Sequence, residues 1–246
     1  MEIRLTSAQG PATVLHGITF DVHEGEVVGL VGRSGTGKTT LLRALGGLVG
    51  VHRGRIAFEE RTVSRPPRDV VMVFQDYENA LLPWRTVGRN VQLGLEGRSS
   101  RAARRAAAAR ALELVELGGR YDDYPFRMSG GMAQRVQIAR ALAVEPAVLL
   151  MDEPFGALDA MTKATLQDML LDVQRATGKT IFFVTHDLDE AIYLSDRVLV
   201  LSGAPGVVTL DLPVHLPRRR DQVSTRESPA YLDLRRALAE HLRSGG

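Results

Sequence analysis

Short apolar runs, each about the length of one β-strand, recur along the chain and alternate with segments of helical periodicity. The unbroken runs are Val27–Val31, Ala147–Met151, Ile181–Val184 and Val198–Leu201. Strands buried on both faces read as unbroken apolar runs, and crossover helices join parallel strands. The pattern therefore predicts an α/β fold whose parallel sheet is covered on both faces. No run approaches the roughly 18 apolar residues of a membrane-spanning helix.

Periodicity and turn residues place the individual elements. Strand-like sequence over 13–22 and 54–63 predicts a separate β element near the amino terminus. The core is predicted to contain strands over 25–32, 70–75, 147–151, 180–184 and 197–201, with helices over 38–45, 160–176 and 187–194. From Asp211 the sequence is irregular until a short helix predicted near 229–243.

A change of composition after residue 75 suggests an insertion into this core. A loop rich in turn residues is followed by an alanine- and arginine-rich helix near 99–117 and by a helix beginning around Ser129. We therefore predict a single domain over 1–246, with a core over 1–75 and 136–210, a helical insertion over 76–135 and a tail over 211–246.

Composition excludes some classes of protein. The chain has 246 residues, a net charge of +2 and no cysteine, which excludes disulfides and thiolate metal sites. "MEIRLTSAQG" lacks a basic stretch followed by an apolar one, so no signal peptide is predicted and a cytoplasmic protein is expected. Arginine clusters at 98–110 and 218–220 form either a nucleic-acid patch or a solvated helix face and tail, and we favour the second interpretation.

A glycine-rich segment, "GRSGTGKTT" (32–40), fits the pattern G-x-x-x-x-G-K-[ST] between a predicted strand and a predicted helix. Glycines at 32, 35 and 37 allow backbone N–H groups to close around a polyphosphate, and the helix start adds further N–H groups. Lys38 is placed to reach the β- and γ-phosphates, and the Thr39 hydroxyl to bind Mg²⁺. The alternative is a simple glycine turn, but the position of the segment favours a nucleotide site.

Polar side chains end three other predicted strands, at the edge where open α/β sheets bind ligands. Asp152 and Glu153 follow "AVLLM"; they either cap a helix or serve as a Mg²⁺ ligand and a water-activating base, respectively. His186 is either a surface or capping residue or a polar group at the γ-phosphate and the water. Gln75 ends "VVMVFQ", where its amide oxygen can reach Mg²⁺ or a water.

Together these segments resemble the motifs of the ATP-binding-cassette (ABC) ATPases over almost the whole chain. "GRSGTGKTT" resembles the Walker A loop and "FQ" (74–75) the Q-loop. The remaining motifs are "MSGGMAQRVQIARAL" for the signature helix, "LLMDEP" for Walker B, "GALD" (156–159) for the D-loop and "VTHD" for the H-loop. The resemblance implies a P-loop NTPase fold with a RecA-like parallel-sheet core, an N-terminal antiparallel β-subdomain and an inserted α-helical subdomain.

The resemblance also implies ATP and Mg²⁺ as cofactors and two ATPase subunits, identical or paralogous, arranged head-to-tail. Each nucleotide then lies between the phosphate loop of one subunit and the signature helix of the other. The implied residues are Glu153 and His186 for catalysis; Gly32, Arg33, Ser34, Gly35, Thr36, Gly37, Lys38, Thr39, Thr40, Gln75, Ser129, Gly130 and Gly131 for ATP; Thr39, Gln75 and Asp152 for the metal; and Ala157, Leu158 and Asp159 of the D-loop for the dimer contact.

The start of the signature helix supports this arrangement on physical grounds. A helix that opens with Ser129 and two bare glycines is a second anion site, in which Ser129 either caps the helix or binds phosphate and the glycines permit close approach. Since Lys38 and its loop already fill the first site, the second can complete the site of a twin subunit. Closure around ATP would then order Glu153 and His186.

Finer similarity points to the nitrate, sulfonate and taurine import branch. It rests on "ALLPWRTVGRNV" (80–91), "DLDEAIYLSDRVLVLSGAPG" (187–206) and the tail segments "LPRRRD" and "SPAYLDLRRAL". The resemblance implies an integral membrane permease as partner, a solute-binding protein acting indirectly, no nucleic acid, and a peripheral location at the cytoplasmic face of the membrane. Trp84 is either an anchor on the permease interface or a core residue of the helical insertion.

The chain departs from the pattern of the ABC ATPases at two positions. Gln9 stands where the family usually stacks an aromatic on adenine, and Met132 replaces the usual glutamine of the signature.

Two other functions are alternatives to that of an importer subunit. The first is a soluble ABC ATPase acting in nucleic-acid or protein-assembly processes, which usually carries two cassettes or a long insertion. The second is a module that no longer hydrolyses ATP, against which Glu153 and His186 argue.

Overall fold

Parallel strands form the centre of the molecule. In the computed structural model, which describes residues 1–7, 10–75, 80–156 and 158–244, ten strands form three sheets. The strands are β1 (Ile3–Ser7), β2 (Gly10–Leu15), β3 (Val27–Gly32), β4 (Ala57–Phe58), β5 (Arg61–Thr62), β6 (Val70–Val73), β7 (Val148–Asp152), β8 (Thr180–Val184), β9 (Arg197–Ser202) and β10 (Val207–Pro213).

Helices follow most of the core strands, as the alternating pattern predicts. They are α1 (Lys38–Leu45), α2 (Val87–Val91), α3 (Arg101–Leu114), α4 (Gly130–Leu142), α5 (Ala160–Thr177), α6 (Leu188–Leu194), α7 (Ser224–Glu227) and α8 (Pro229–Ser244). Three of them, α2 to α4, lie between β6 and β7, where the sequence changes composition. Among the described residues, no helix combines the length and apolarity required to cross a membrane.

The strand order of the main sheet differs from the order along the chain. The six strands lie in the order β10-β9-β3-β8-β7-β6, with β9, β3, β8, β7 and β6 parallel and β10 antiparallel at one edge. The carboxyl ends of β3, β8, β7 and β6 are therefore neighbours at one edge of the sheet. This edge carries the candidate site.

Alternate residues of the central strands enter two separate apolar cores. Leu149 and Met151 of β7 pack with the cluster that includes helices α2 to α6, whereas Leu150 packs with the cluster of α1 and the amino-terminal β element. Side chains of a strand alternate between faces, so both faces of the sheet are covered. The predicted α/β architecture is confirmed.

Two strand predictions were wrong in extent, and two strands, β1 and β10, were missed. The strand predicted over 13–22 ends at Leu15, since Gly17 adopts a left-handed φ of 61° and no strand follows before Val27 in this described stretch. The strand over 54–63 is a hairpin of β4 and β5 that turns at Glu59 and Glu60, both with positive φ. Strand β10 begins at Val207 and extends into the stretch from Asp211 that was predicted to be irregular, because its backbone pairs with β9.

The carboxyl-terminal segment packs against α6 instead of forming a loose tail. Tyr231 of α8 is 1% exposed, and its hydroxyl contacts the Asp189 backbone oxygen and Oδ1, both at 3.0 Å. Arg220 donates hydrogen bonds to the carbonyls of Tyr193 (2.6 Å) and Ser195 (2.9 Å) at the end of α6. Arg220 thus satisfies carbonyls that a helix terminus leaves unpaired, a structural role that neither interpretation of its cluster anticipated.

Candidate functional site

The phosphate loop connects β3 to α1, as predicted, and its glycines serve different purposes. Gly35 adopts a φ of 82°, and a Cβ built there would meet open space. A Cβ on Gly32 would lie 2.2 Å from the Leu201 backbone oxygen, and one on Gly37 would lie 2.8 Å from Leu15. Gly35 therefore leaves room for a ligand, whereas Gly32 and Gly37 also permit close packing within the protein.

The other residues of the phosphate loop lie in the loop itself and in the first turn of α1. Arg33 and Ser34 are exposed, whereas Thr36 is buried and its hydroxyl donates to the Arg33 carbonyl at 2.9 Å. Thr39 and Thr40 are half-buried in the first turn of α1. The amino end of this helix has no side-chain cap, since Gly37 is its N-cap residue. Its first N–H groups are therefore available to an anion.

Lys38 is folded back onto its own loop. Its ammonium donates to the carbonyls of Gly32 (2.8 Å) and Arg33 (2.9 Å), and the residue is 8% exposed. Burial lowers the pKa of this ammonium, while the carboxylates of Asp152 and Glu153 act in the opposite direction. The loop thus holds a cation at its centre, bound to carbonyls that a phosphate can replace.

Asp152 and Thr39 meet across the gap between β7 and α1. The Thr39 hydroxyl donates to Asp152 Oδ1 at 3.2 Å, although 113 residues separate them along the chain. Asp152 is 7% exposed. Burial raises the pKa of its carboxyl, whereas the hydrogen bond from Thr39 acts to lower it. These two oxygen-bearing side chains form one side of the site.

Glu153 lies between two other predicted residues. Its Oε2 accepts a hydrogen bond from Gln75 Nε2 at 3.1 Å and lies 3.3 Å from His186 Nδ1. Glu153 adopts a φ of 45°, which is uncommon for a residue other than glycine and marks local strain. Its N–H donates to the Val184 carbonyl at 3.0 Å, which fixes this turn against the end of β8. The structure thus brings Gln75, Glu153 and His186 together.

The signature segment begins α4 as the sequence predicts. Ser129 is the N-cap residue, exposed, and its Oγ accepts a hydrogen bond from Met132 N at 3.3 Å. In the described part of the chain, no hydrogen bond joins Ser129 to the phosphate loop. Gly130 is half-buried, whereas Gly131 is buried, and a Cβ on Gly131 would lie 2.4 Å from Thr162 Cγ2 of α5. Gly131 is therefore needed for packing of α4 on α5, a reason that the sequence did not reveal.

Replacing Gly131 with alanine tests this packing. We expect Gly131→Ala to lower the free energy of unfolding by about 1–3 kcal/mol, because the new methyl overlaps the Thr162 side chain. In Gly131→Ala/Thr162→Ser the clashing methyl is absent, and we expect most of that loss to be recovered. Urea unfolding of both variants measures the effect; equal loss in the single and double variants would contradict the packing assignment.

Two predicted residues lie outside the described residues, namely Gln9 and Ala157. Of the other D-loop residues, Leu158 packs against the main core. Asp159 is the N-cap of α5 and accepts hydrogen bonds from the N–H groups of Met161 and Thr162 at 3.1 and 3.0 Å. Asp159 thus has a local structural role, and its contact with a second subunit stays a prediction.

Two buried glutamines of α4 link the signature helix to the loops that carry Glu153 and Gln75, and the sequence did not reveal either contact. Gln134 Nε2 donates to the Pro154 carbonyl at 2.8 Å, next to Glu153. Gln137 Nε2 donates to the Phe74 carbonyl at 3.0 Å, next to Gln75. The available signal was a pair of amides three residues apart on a face of α4 that is otherwise apolar.

The two interpretations of Trp84 are now distinguished by burial. Its side chain is 71% exposed, so the alternative of a core tryptophan is wrong. Phe74, which precedes Gln75, is 47% exposed.

Comparison with known proteins gives the family. The profile of the ABC transporter family matches residues 15–156. The nitrate import ATP-binding protein NrtC of Synechococcus elongatus is 43% identical over 237 residues; these cover 95% of this chain but 36% of NrtC, so the chain spans about a third of that relative. The aliphatic sulfonates import ATP-binding protein SsuB 1 of Pseudomonas syringae pv. syringae is 47% identical over 223 residues, which cover 90% of this chain and 89% of that protein.

A solved structure agrees with this assignment. The dimeric, post-hydrolysis structure of the ATP-binding cassette MJ0796 bound to ADP and Pi matches with a TM-score of 0.74 at 30% identity, covering 88% of this chain and 97% of that one. The chain belongs to the ABC transporter family. The predicted family, the P-loop NTPase fold and the enzyme class, an ATPase, are confirmed.

Proposed function

We propose that this chain is the ATP-hydrolysing subunit of an importer for small oxyanions of the nitrate, sulfonate and taurine type. The observation that carries the proposal is the position of Glu153 between Gln75 and His186, at the sheet edge that also holds the phosphate loop. The relatives import nitrate and aliphatic sulfonates, which favours this function over that of a soluble assembly factor.

The phosphate loop is the proposed ATP site of the subunit. Backbone N–H groups of residues 32–40 surround the phosphates, and the open space at Gly35 allows the chain to close on them. Lys38 exchanges its two carbonyl partners for the β- and γ-phosphates, which gives charge-assisted hydrogen bonds in place of neutral ones.

The side chains of Thr39 and Asp152 fit a Mg²⁺ ion. A hydroxyl and a carboxylate are the hard oxygen ligands that Mg²⁺ prefers, and a cation would compensate the buried charge of Asp152. Within the described ranges, no cluster of three or more His, Cys, Asp or Glu side chains is placed to hold a metal, so phosphate and water would supply the other ligands. When bound, Mg²⁺ neutralises charge on the phosphates. The amide nitrogen of Gln75 faces Glu153. That the amide oxygen of Gln75 binds the metal stays a prediction.

Glu153 is the proposed base for the attacking water. Its carboxylate accepts a hydrogen bond from Gln75, and the bond from its N–H to the Val184 carbonyl holds the residue at the end of β7. His186, beside Glu153 Oε2, is placed to contact the γ-phosphate and the water, and Gln75 orients the carboxylate from the other side. These three groups orient the water, and Glu153 accepts its proton.

The signature helix is the proposed second half of the ATP site of another subunit. Ser129 is exposed at the start of α4 and makes its hydrogen bond within its own helix, so its subunit leaves this anion site accessible. A head-to-tail pair, made of two copies or of this chain and a paralogue, would place Ser129, Gly130 and Gly131 against the γ-phosphate of the other subunit. The D-loop residues 157–159 would lie at the contact between the two subunits.

The exposed aromatics near Gln75 form the proposed docking surface for the membrane permease. Phe74 and Trp84 lie before and after Gln75 along the chain, and both are exposed, so a permease bound to them would sense the state of the ATP site. This contact would hold the subunit at the cytoplasmic face of the membrane. A solute-binding protein would act only through the permease.

Loss of the Lys38 ammonium should weaken ATP binding. We expect Lys38→Ala to raise the Kd for ATP by about 10- to 100-fold, the cost of losing charge-assisted hydrogen bonds to phosphate. Lys179→Ala is the matched control, since Lys179 lies just before β8, at the opposite end of the sheet. Titration with a fluorescent ATP analogue measures both; an unchanged Kd in Lys38→Ala would contradict the phosphate-loop assignment.

Co-purification tests the transport role. The chain is co-expressed with the permease encoded next to it, and the permease is extracted in detergent through an affinity tag. We expect the wild-type chain to elute with the permease and Trp84→Ala to elute with it at a reduced ratio. Recovery of the wild-type chain only in the fraction without permease would contradict the importer proposal while leaving the ATPase assignment intact.

A further inference from the structure

Lys163, in the first turn of α5, contacts the carboxylates of two residues that follow His186 in the chain. Its Nζ lies 2.7 Å from Asp187 Oδ2 and 2.6 Å from Glu190 Oε1. Glu190 is 3% exposed, and a carboxylate at that depth requires a cationic partner. Burial alone would lower the pKa of Lys163, but the hydrogen bond to Asp187 and the ion pair with Glu190 raise it above its usual value. The ion triad therefore ties α5 to the start of α6.

The two carboxylates belong to the turn that carries His186. Thr185, which precedes the histidine, donates its hydroxyl to the Glu190 carboxylate and accepts a hydrogen bond from Asp187 N at 3.0 Å. Asp187, which follows the histidine, caps α6 by accepting from the N–H groups of Asp189 and Glu190. The residues on both sides of His186 are thus held by a network that includes Lys163.

His186 depends on this network for its position. Its side chain is 63% exposed, so core packing contributes little to holding the ring 3.3 Å from Glu153. The backbone on either side of the ring sets its position instead. A shift of the turn would change the distance between His186 and Glu153.

We propose that Lys163 is a positioning residue for ATP hydrolysis, which holds the His186 turn against Glu153 and couples it to the D-loop. The coupling follows from the helix, because Lys163 N donates to the carbonyl of Asp159, the D-loop residue one turn earlier, at 2.9 Å. Displacement of the D-loop by a second subunit would move Lys163 and, through Asp187 and Glu190, the His186 turn. The proposal rests on the proposed role of His186 in hydrolysis.

The test compares Lys163→Met with Lys163→Arg in the full chain. We expect Lys163→Met to lower kcat by about 10- to 100-fold, as small misplacements of a catalytic group do, with the Kd for ATP within about twofold of wild type. In chain labelled with ¹³C-histidine, the His186 ring resonance, assigned with His186→Ala, shifts in Lys163→Met. Lys163→Arg keeps both ion pairs and is expected to retain kcat within about threefold. Arg175→Met, on the same helix but paired with the exposed Asp172, is the matched control and leaves kcat and the resonance unchanged.

A second variant separates positioning from folding. Lys163→Met leaves Glu190 buried without its cation, which destabilises the fold, whereas Lys163→Met/Glu190→Gln removes that unpaired charge. If Lys163 positions His186, the double variant regains the wild-type midpoint of thermal unfolding but keeps the low kcat and the shifted His186 resonance. Recovery of kcat together with the midpoint, or an unshifted His186 resonance in both variants, would overturn the proposal.

The outcome for His186→Ala distinguishes this proposal from the proposed function. If His186→Ala keeps wild-type kcat, the catalytic role of His186 is wrong and the role of Lys163 fails with it. If His186→Ala loses turnover while Lys163→Met keeps it, the proposal for Lys163 alone is overturned.

Discussion

Glu153→Gln should lower kcat for ATP hydrolysis by about 10²- to 10⁴-fold, the range for loss of a general base. The substitution keeps the shape of the side chain and its contacts with Gln75 and His186, but an amide does not accept a proton from water. The Kd for ATP should stay close to that of the wild type, because Lys38 and its loop are unchanged. Since bound ATP then persists, the variant should accumulate as an ATP-dependent dimer. Single-turnover hydrolysis and size-exclusion chromatography with ATP measure the two effects.

A matched control is available elsewhere in the chain. Glu145 also adopts a left-handed backbone, with a φ of 54°, and it makes an exposed ion pair with Arg110. Glu145→Gln therefore repeats the same chemical change on the same backbone conformation away from the site, and it should hydrolyse ATP at the wild-type rate. Turnover near the wild-type rate in Glu153→Gln would remove Glu153 as the water-activating residue.

Ser129→Phe should abolish hydrolysis while leaving ATP binding by the single subunit nearly intact. A bulky ring at the exposed start of α4 blocks the approach of another subunit's γ-phosphate, whereas the phosphate loop of the same chain makes no hydrogen bond to Ser129 in the described residues. We expect kcat to fall by at least about 100-fold, comparable with loss of a preorganised anion site. Introduced into Glu153→Gln, the substitution should also prevent the ATP-dependent dimer.

Loss of the helix cap must be separated from loss of the second site. Ser129→Phe removes a capping hydrogen bond that contributes about 1 kcal/mol. Ser100 caps α3 with the same geometry, accepting from Ala103 N at 3.2 Å, so Ser100→Phe is a matched control for capping and bulk. Ser100→Phe should retain hydrolysis. A Kd for ATP that rises in Ser129→Phe as much as kcat falls would place the signature segment in the subunit's own site and contradict the head-to-tail arrangement.

Several elements could be predicted from the sequence because their signals are local. The phosphate loop has fixed spacing between its glycines and Lys38, and the buried strands are unbroken apolar runs. The helix start at Ser129 follows from a capping residue beside glycines. These signals lie within a few residues of one another, so burial and hydrogen bonding to distant segments do not change them.

Features that depend on distant segments could not be predicted in this way. Strand β10 was missed because its pairing with β9 supplies its hydrogen bonds. The need for glycine at 131 comes from Thr162, 31 residues later, and the exposure of Trp84 depends on what packs around it. The contacts of Lys163 with α6 depend on how two helices lie together.

Local sequence shows which groups are available for chemistry: a lysine in a glycine-rich loop, and polar side chains where apolar strands end. Which of these groups meet depends on the arrangement of the strands in the sheet. Strand β7 lies between β6 and β8, so Glu153 stands between Gln75 and His186, which come from strands far apart in the chain. Strand order is set by the pairing and packing of whole elements across the sheet, and the local periodicity that identifies a strand carries no information about its neighbours.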